Sequence, residues 1–201
     1  MNHETLKKDF IRAAEAAGAE IFVAADMKSA AENLLDFLKN QKIEIVSLAS
    51  DLETRLELWN SDVRSSEVGI VRADFGVAET GTLVHFDADD GQKSAWTLPP
   101  VCVCFLEEEQ IVESLEDIAD EMSRYLASDK NSHGIQSVAN GKETASHPSL
   151  PVSATGGQVT LRQVSLITGP SRTSDIEAQL TIGVHGPKRL VIFLIEKRAK
   201  L

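Results

Sequence analysis

The run Leu190-Val191-Ile192-Phe193-Leu194-Ile195 constrains the fold more than any other feature of the sequence. Six apolar residues in succession leave no polar position for a solvated face, so a strand made from them is covered on both sides. Val101-Cys102-Val103-Cys104-Phe105 has the same character. Strands covered on both faces belong to largely parallel sheets flanked by helices, the α/β class.

The helices that such a sheet needs are written in the first forty residues. Leu6, Phe10, Ala13, Ala14 and Ala17 recur at helical spacing and stop at Gly18, the residue type expected just past a helix end. Glu20 to Ala24 reads as a strand, residues 28–40 carry Ala30, Ala31, Leu34, Leu35 and Leu38 on one helical face, and Lys42 to Leu48 reads as a strand again. Strand, helix, strand in this order is a crossover unit. A short helix is predicted around Leu52 to Leu58, then strands at Val68–Ala73, Thr82–Phe86 and Val101–Phe105. Residues 110–127 are predicted as one helix with Ile111, Leu115, Ile118, Ala119, Met122 and Leu126 as its apolar stripe.

From Ser128 to about Gly157 both periodicities vanish into a stretch rich in Ser, Asn, Gly, Thr and Lys. Its composition predicts a flexible polar insertion at 129–157 within a single domain of 201 residues, because the segment that follows is too short for a second core. Val159 to Ile167 is strand-like again. No internal repeat is present.

Composition removes several function classes. Apolar residues make up 42% and charged residues 25%, values of an ordinary globular chain. The net charge of −11 gives no general attraction for phosphate backbones or anionic lipid, so neither nucleic acid nor a membrane surface is an expected partner. The charge is uneven: residues 1–128 hold 11 Lys and Arg against 26 Asp and Glu, residues 129–201 hold 9 against 5. That asymmetry suits a C-terminal part that gathers a small anion, or simply acidic exposed helices. No apolar run reaches membrane-spanning length and the first residues lack the order of a secretory signal, so the expected location is the cytoplasm. With only Cys102 and Cys104, spaced as one face of a buried strand, the chain has no evident zinc or iron–sulfur site of its own and no predicted metal ligands.

Three short segments combine glycine, hydroxyl and charged residues at strand ends, where α/β sheets bind ligands. They are Ala78-Glu79-Thr80-Gly81-Thr82, the stretch Thr168-Gly169-Pro170-Ser171-Arg172-Thr173-Ser174-Asp175-Ile176-Glu177, and His185-Gly186-Pro187-Lys188. None matches a P-loop or a dinucleotide fingerprint. The second leads from a strand into a helix-like Asp-Ile-Glu-Ala-Gln-Leu, where backbone N–H groups, the Ser171 and Thr173 hydroxyls and the Arg172 guanidinium can clamp a carboxylate or phosphate. The same residues also read as a capping box built on Ser174 and Glu177. Glu79 can serve as a base, orient a ligand hydroxyl or accept backbone hydrogen bonds in a turn. His185 reads as a turn residue or a catalyst, Lys188 adds positive charge, and His85 reads as a packed or edge histidine.

In this order and with strands between them, the three segments resemble the LUD domain of the lactate-utilisation LutC/YkgG family, over roughly Val68 to Ile195. The resemblance implies an α/β fold of the NagB/RpiA/CoA-transferase type. It implies a subunit of an NAD-independent system that oxidises L-lactate to pyruvate, with no cofactor bound by this chain and iron–sulfur clusters in partner subunits. Whether such a subunit is itself an enzyme is left open; an independent isomerase or CoA-transferase-like enzyme and a non-catalytic ligand-sensing or assembly module are the alternatives. The motifs carried over place Glu79, Arg172 and His185 in candidate catalytic roles. Thr80, Gly81, Thr82, Gly169, Ser171, Arg172, Thr173, Asp175 and Lys188 become candidate ligand-binding residues, with Arg172 on the anionic group of a ligand such as lactate.

Overall fold

The computed structural model describes residues 2–43, 46–48, 64–87, 90–127, 163–174, 180–182 and 186–196. In chain order they form α1 (His3–Ala16), β1 (Glu20–Ala24), α2 (Met27–Gln41), β2 (Val46–Leu48), β3 (Val68–Arg72), β4 (Phe75–Val77), β5 (Thr82–Asp87), α3 (Asp90–Thr97), β6 (Val101–Glu107), β7 (Ile111–Val112), α4 (Ala119–Ala127), β8 (Gln163–Ile167), β9 (Arg172–Ser174), β10 (Leu180–Ile182) and β11 (Arg189–Ile195). The main sheet has the order β1-β11-β6-β3-β2, and every neighbouring pair in it is parallel.

The two apolar runs lie side by side at its centre, with Leu190 opposite Cys102 and Phe193 opposite Phe105. Alternation divides them between two cores. Cys102, Cys104, Leu106, Leu190, Ile192 and Leu194 meet Leu6, Phe10 and Ala14 of α1, while Val103, Phe105, Val191, Phe193 and Ile195 meet Ala30, Leu34, Phe37 and Leu38 of α2. Each large side chain so covered contributes roughly 1.5–3 kcal/mol, which is why a run with no polar residue is stable only between two layers. The fold is therefore α/β with a parallel sheet flanked by helices, as the apolar runs predict.

Local chemistry sets the helix ends. Asn2 accepts the Thr5 N–H at 2.8 Å to start α1, and Asp26 with Ser29 forms a reciprocal capping box for α2. Lys42 closes α2 in the left-handed conformation (φ 56°), its N–H reaching Leu38 and Lys39 carbonyls. Of the predicted strand Lys42–Leu48, Val46–Leu48 is a strand and the first residue is spent as a helix cap.

A second sheet, ordered β7-β4-β5-β8, was not foreseen. Its β4–β5 and β5–β8 pairs are antiparallel and its β4–β7 pair parallel. Leu83 and Ile111 from this sheet join the α1 core, while Val77 and Val84 pack with Ile118 on its other face. β7 corrects the single helix predicted over 110–127. Ile111 has helical spacing, but its backbone pairs with Gly76 and its side chain packs beneath α1; after a 3₁₀ turn at Glu116–Ile118, the helix begins at Ala119. The helix-like reading from Asp175 to Leu180 is corrected too: Arg172–Ser174 pairs antiparallel with Leu180–Ile182, placing Leu180 in a strand. The predicted helix near 52–58 and the polar insertion at 129–157 lie outside the described residues.

Candidate functional site

Of the three predicted segments, the described parts meet at one place, the carboxyl end of α1. The turn after β4 arrives first. Gly81 N–H donates to the Val77 carbonyl at 2.8 Å, and Gly81 sits at φ 67°, so close to α1 that a Cβ would run into the backbone of Ala13 and Ala14. Only glycine satisfies both the left-handed turn and the close approach. Ala78 and Glu79 tie the turn to β7 and its extension through N–H bonds to the Val112 and Glu113 carbonyls, at 2.9 and 3.1 Å. Glu79 and Thr80 are exposed there, while Thr82 is only 5% exposed.

The stretch after β8 arrives second. Thr82 Oγ1 lies 2.6 Å from Thr168 Oγ1 and 2.7 Å from Thr80 Oγ1, a chain of three hydroxyls joining the two segments. Gly169, at φ 72°, rests against the Ala17 carbonyl, where a side chain would not fit. Arg172 Nη2 then donates to the same Ala17 carbonyl. The last turn of α1 holds no basic residue, so Arg172, from a remote part of the chain, provides the cation that complements the negative end of the helix. Gly186-Pro187-Lys188 closes the arrangement: Ser171 N–H donates to the Pro187 carbonyl at 2.9 Å, Gly186 lies against the Ser171 side chain, and Lys188 N–H reaches the Pro100 carbonyl at 2.8 Å.

The structure thus gathers Thr80, Gly81, Thr82, Gly169, Ser171 and Arg172 through direct contacts, with Lys188 brought to the same edge by its backbone and Thr173 following Arg172 in β9. Glu79 is on the same turn, with its side chain in solvent. Asp175 and His185 lie outside the described residues. This cluster stands at the edge where β1, β6 and β11 begin, not at the carboxyl edge where open parallel sheets commonly bind ligands.

The carboxyl edge is instead filled with ion pairs. Arg72 meets Glu107 at 2.6 Å, and Lys7, 13% exposed, lies 3.0 Å from Glu196, 3.3 Å from Glu4 and 3.6 Å from Glu108. The Glu196 hydrogen bond above all holds the Lys7 ammonium well above the ordinary lysine range. Cys102 and Cys104 are fully buried, and burial pushes both thiols up, away from the thiolate that nucleophilic or metal-binding chemistry requires. Among the described residues no group of three or more His, Cys, Asp or Glu side chains is arranged for a metal ion, and no helix is long and apolar enough to cross a membrane.

Sequence reasoning missed Asp74, which receives His85 Nδ1 at 3.0 Å, and Trp96, whose ring lies 5.3 Å from that of His85. The alternation Leu83-Val84-His85-Phe86 does place the histidine on a core-facing position. Nothing in the spacing marks its partners, because Asp74 comes from the link between β3 and β4 and Trp96 from α3.

The order of these segments along the chain and their meeting around α1 can be compared with known proteins. A family model described as the LUD domain matches residues 56–149 and 136–195. The chain belongs to the LUD domain family. Lactate utilization protein C of Bacillus subtilis is 29% identical over 148 residues, covering 70% of this chain and 50% of that protein. Lactate utilization protein C of Halalkalibacterium halodurans is 24% identical over 165 residues, covering 82% and 57%. The YkgG protein of Escherichia coli is 26% identical over 136 residues, covering 68% and 47%. This LUD chain therefore spans about half the length of these curated relatives. A crystal structure of a DUF162 family protein from Deinococcus radiodurans superposes with a TM-score of 0.62 at 13% identity, covering 97% of this chain and 99% of that one, a likeness of fold.

Proposed function

We propose that this LUD-domain chain takes part in lactate utilisation, as a subunit of an NAD-independent system that oxidises L-lactate to pyruvate and passes the electrons to iron–sulfur partner proteins. The observation that carries the reading is membership of the LUD family together with relatives bearing the name Lactate utilization protein C. The cysteine count supports a division of labour, since both thiols are packed into the α1 core and four thiolates are the usual requirement of a cluster. Cytoplasmic residence accords with this reading.

The three-segment cluster is the proposed ligand site. A guanidinium carries five N–H donors, and Arg172 uses one Nη2 donor on Ala17. Its remaining donors and the Thr80–Thr82–Thr168 hydroxyl chain suit a carboxylate and a neighbouring hydroxyl, as in a small 2-hydroxy acid. The negative end of α1 opposes an anion here, so the positive charge of Arg172 has to offset it. In this site Glu79, Arg172 and His185 are the proposed reactive groups, and Ser171, Thr173, Asp175 and Lys188 complete the proposed lining.

A second reading, a non-catalytic assembly module, is favoured by one observation: Arg172, Gly81 and Gly169 all bear directly on the backbone of α1, as parts of a clasp would. One experiment separates the two. A tagged copy is recovered from lactate-grown cells, its partners are identified, and lactate-dependent dye reduction is compared between wild type, Arg172→Ala and Thr168→Val. The first reading expects iron–sulfur proteins to co-purify and activity to fall at least tenfold in both variants with partners retained. Partners retained with full activity would support the assembly module, and recovery of an inert chain alone would overturn both.

A further inference from the structure

The main sheet ends on β1, which among the described residues pairs with β11 alone. The Ala24 carbonyl accepts the Glu196 N–H at 2.9 Å, so the backbone groups of Ala24, and by alternation those of Phe22 and Glu20, are turned to β11. Those of Ile21 and Val23 point away from the sheet.

The side chains at this edge are open as well. Ile21 packs against the α1 core, so Val23, two positions on, shares that face, while Phe22 takes the face of α2. Val23 is 47% exposed, and Phe22 is 40% exposed although its ring lies 5.3 Å from that of Phe193 and 6.3 Å from that of Phe37. Open edges are ordinarily blunted by lysine, proline or a bulge. Glu20-Ile21-Phe22-Val23-Ala24 holds neither lysine nor proline, and its one charge, Glu20, is bound by Arg189 at 2.8 and 3.0 Å.

We propose that β1 is a self-association edge, where a second copy of this chain adds its own β1 antiparallel about a two-fold axis through Phe22. The register selects the occupant. Around that axis Ile21 faces Val23 of the second copy, and the outward backbone groups of these two residues are the ones that a hydrogen-bonded antiparallel pair exchanges. Phe22 meets Phe22 as a non-hydrogen-bonded pair, with Cβ atoms about 4.5–5.5 Å apart. Glu20 falls opposite Ala24, so no like charges oppose. Two positions beyond the strand, Asp26 of the second copy comes across from Gly18, against which Arg172 lies, so opposite charges flank the paired segment. The flank of α2 beside Phe22 is neutral, since Asn33 and Asn40 stand four before and three after Phe37. A surface that matches itself under a two-fold rotation fits a copy of itself. A five-residue strand is well short of the roughly 20–30 residues a side of a standard interface, so the association is weak and reversible. It does not depend on the lactate reading.

Sedimentation velocity of the intact chain from about 1 to about 500 µM, a range that brackets weak affinities, tests the association. A rise from monomer to dimer is expected. Val23→Lys sets a charge against Ile21 of the second copy, at a position open to solvent in the monomer, and should weaken the dimer at least tenfold. Phe22→Cys tests the register: the axis sets residue 22 against itself, so diamide should link two copies at least tenfold faster than in Val23→Cys, whose counterpart is Ile21. Cys102 and Cys104 are fully buried and do not compete. A chain that stays monomeric throughout, a dimer that Val23→Lys leaves as tight as before, or equal linking at 22 and 23 would overturn the proposal. The cysteine comparison stands even if Val23→Lys folds poorly.

Discussion

Gly81→Ala is the most informative single substitution in the three-segment cluster. It places a Cβ at φ 67° and against the backbone of Ala13 and Ala14, neither of which can swing aside. A loss of about 2–3 kcal/mol is expected from overpacking plus backbone strain, read as a lower urea midpoint. Lys42→Gly should act in the opposite sense. A β-carbon is strained at φ 56°, and glycine relieves that strain, adding about 0.5–1 kcal/mol of stability in the same measurement. At this scale the sequence is uneven in what it discloses. Gly81 and Gly169 stand out within hydroxyl-rich segments and occupy left-handed turns. The partner of Arg172 was hidden, because a bond to Ala17 across 155 positions leaves no local spacing to read. Asp74 and Trp96 were hidden for the same reason.

Elements were legible wherever one periodicity covered the whole segment. The two apolar runs became the central strands because their composition admits no half-solvated arrangement, and α1 and α2 followed from their stripes. Reading failed where one segment served two purposes. Residues 110–127 keep helical spacing although Ile111 and Val112 pair with β4, and Arg172–Ser174 looks like a helix start although it forms a hairpin with β10. Tertiary pairing overrode the local pattern in both places. The end of α1 supplies a prediction at this scale. Arg172→Ala removes the remote cation that donates to the Ala17 carbonyl and should cost about 1 kcal/mol, a modest value because the side chain is exposed. Hydrogen exchange should then quicken at Ala14 to Gly18 before it quickens elsewhere. In α2, Leu34→Ala empties a fully buried position and should cost about 2–5 kcal/mol by thermal or urea unfolding.

At the scale of the whole molecule, the shifted groups set the pH response. The backbone N–H of Ser29 lowers Asp26, and Lys8 and then Lys7 lower Glu4. A carboxyl depressed in the folded state stabilises above its unfolded value and loses that contribution as pH falls through its folded value. Lys7 behaves conversely: its contribution is complete below the ordinary lysine value of 10.5 and disappears only at still higher pH. The urea midpoint should therefore vary little on account of these groups between about pH 5 and 10 and decline below about pH 4. Asp26→Ala should flatten part of the acid decline, and an unchanged acid limb in that variant would remove Asp26 from the account.

The order of the main sheet has a further consequence, one of timing during synthesis. β11 lies between β1 and β6, yet it is the last of the described strands to leave the ribosome. Until residues 189–195 emerge, the facing edges of β1 and β6 have no partner between them, and the apolar rows meant for both cores lack their middle member. Such a nascent chain carries two open strand edges that other chains can join. Growth from the amino end cannot complete this sheet piece by piece; it has to wait for a strand inserted at its centre.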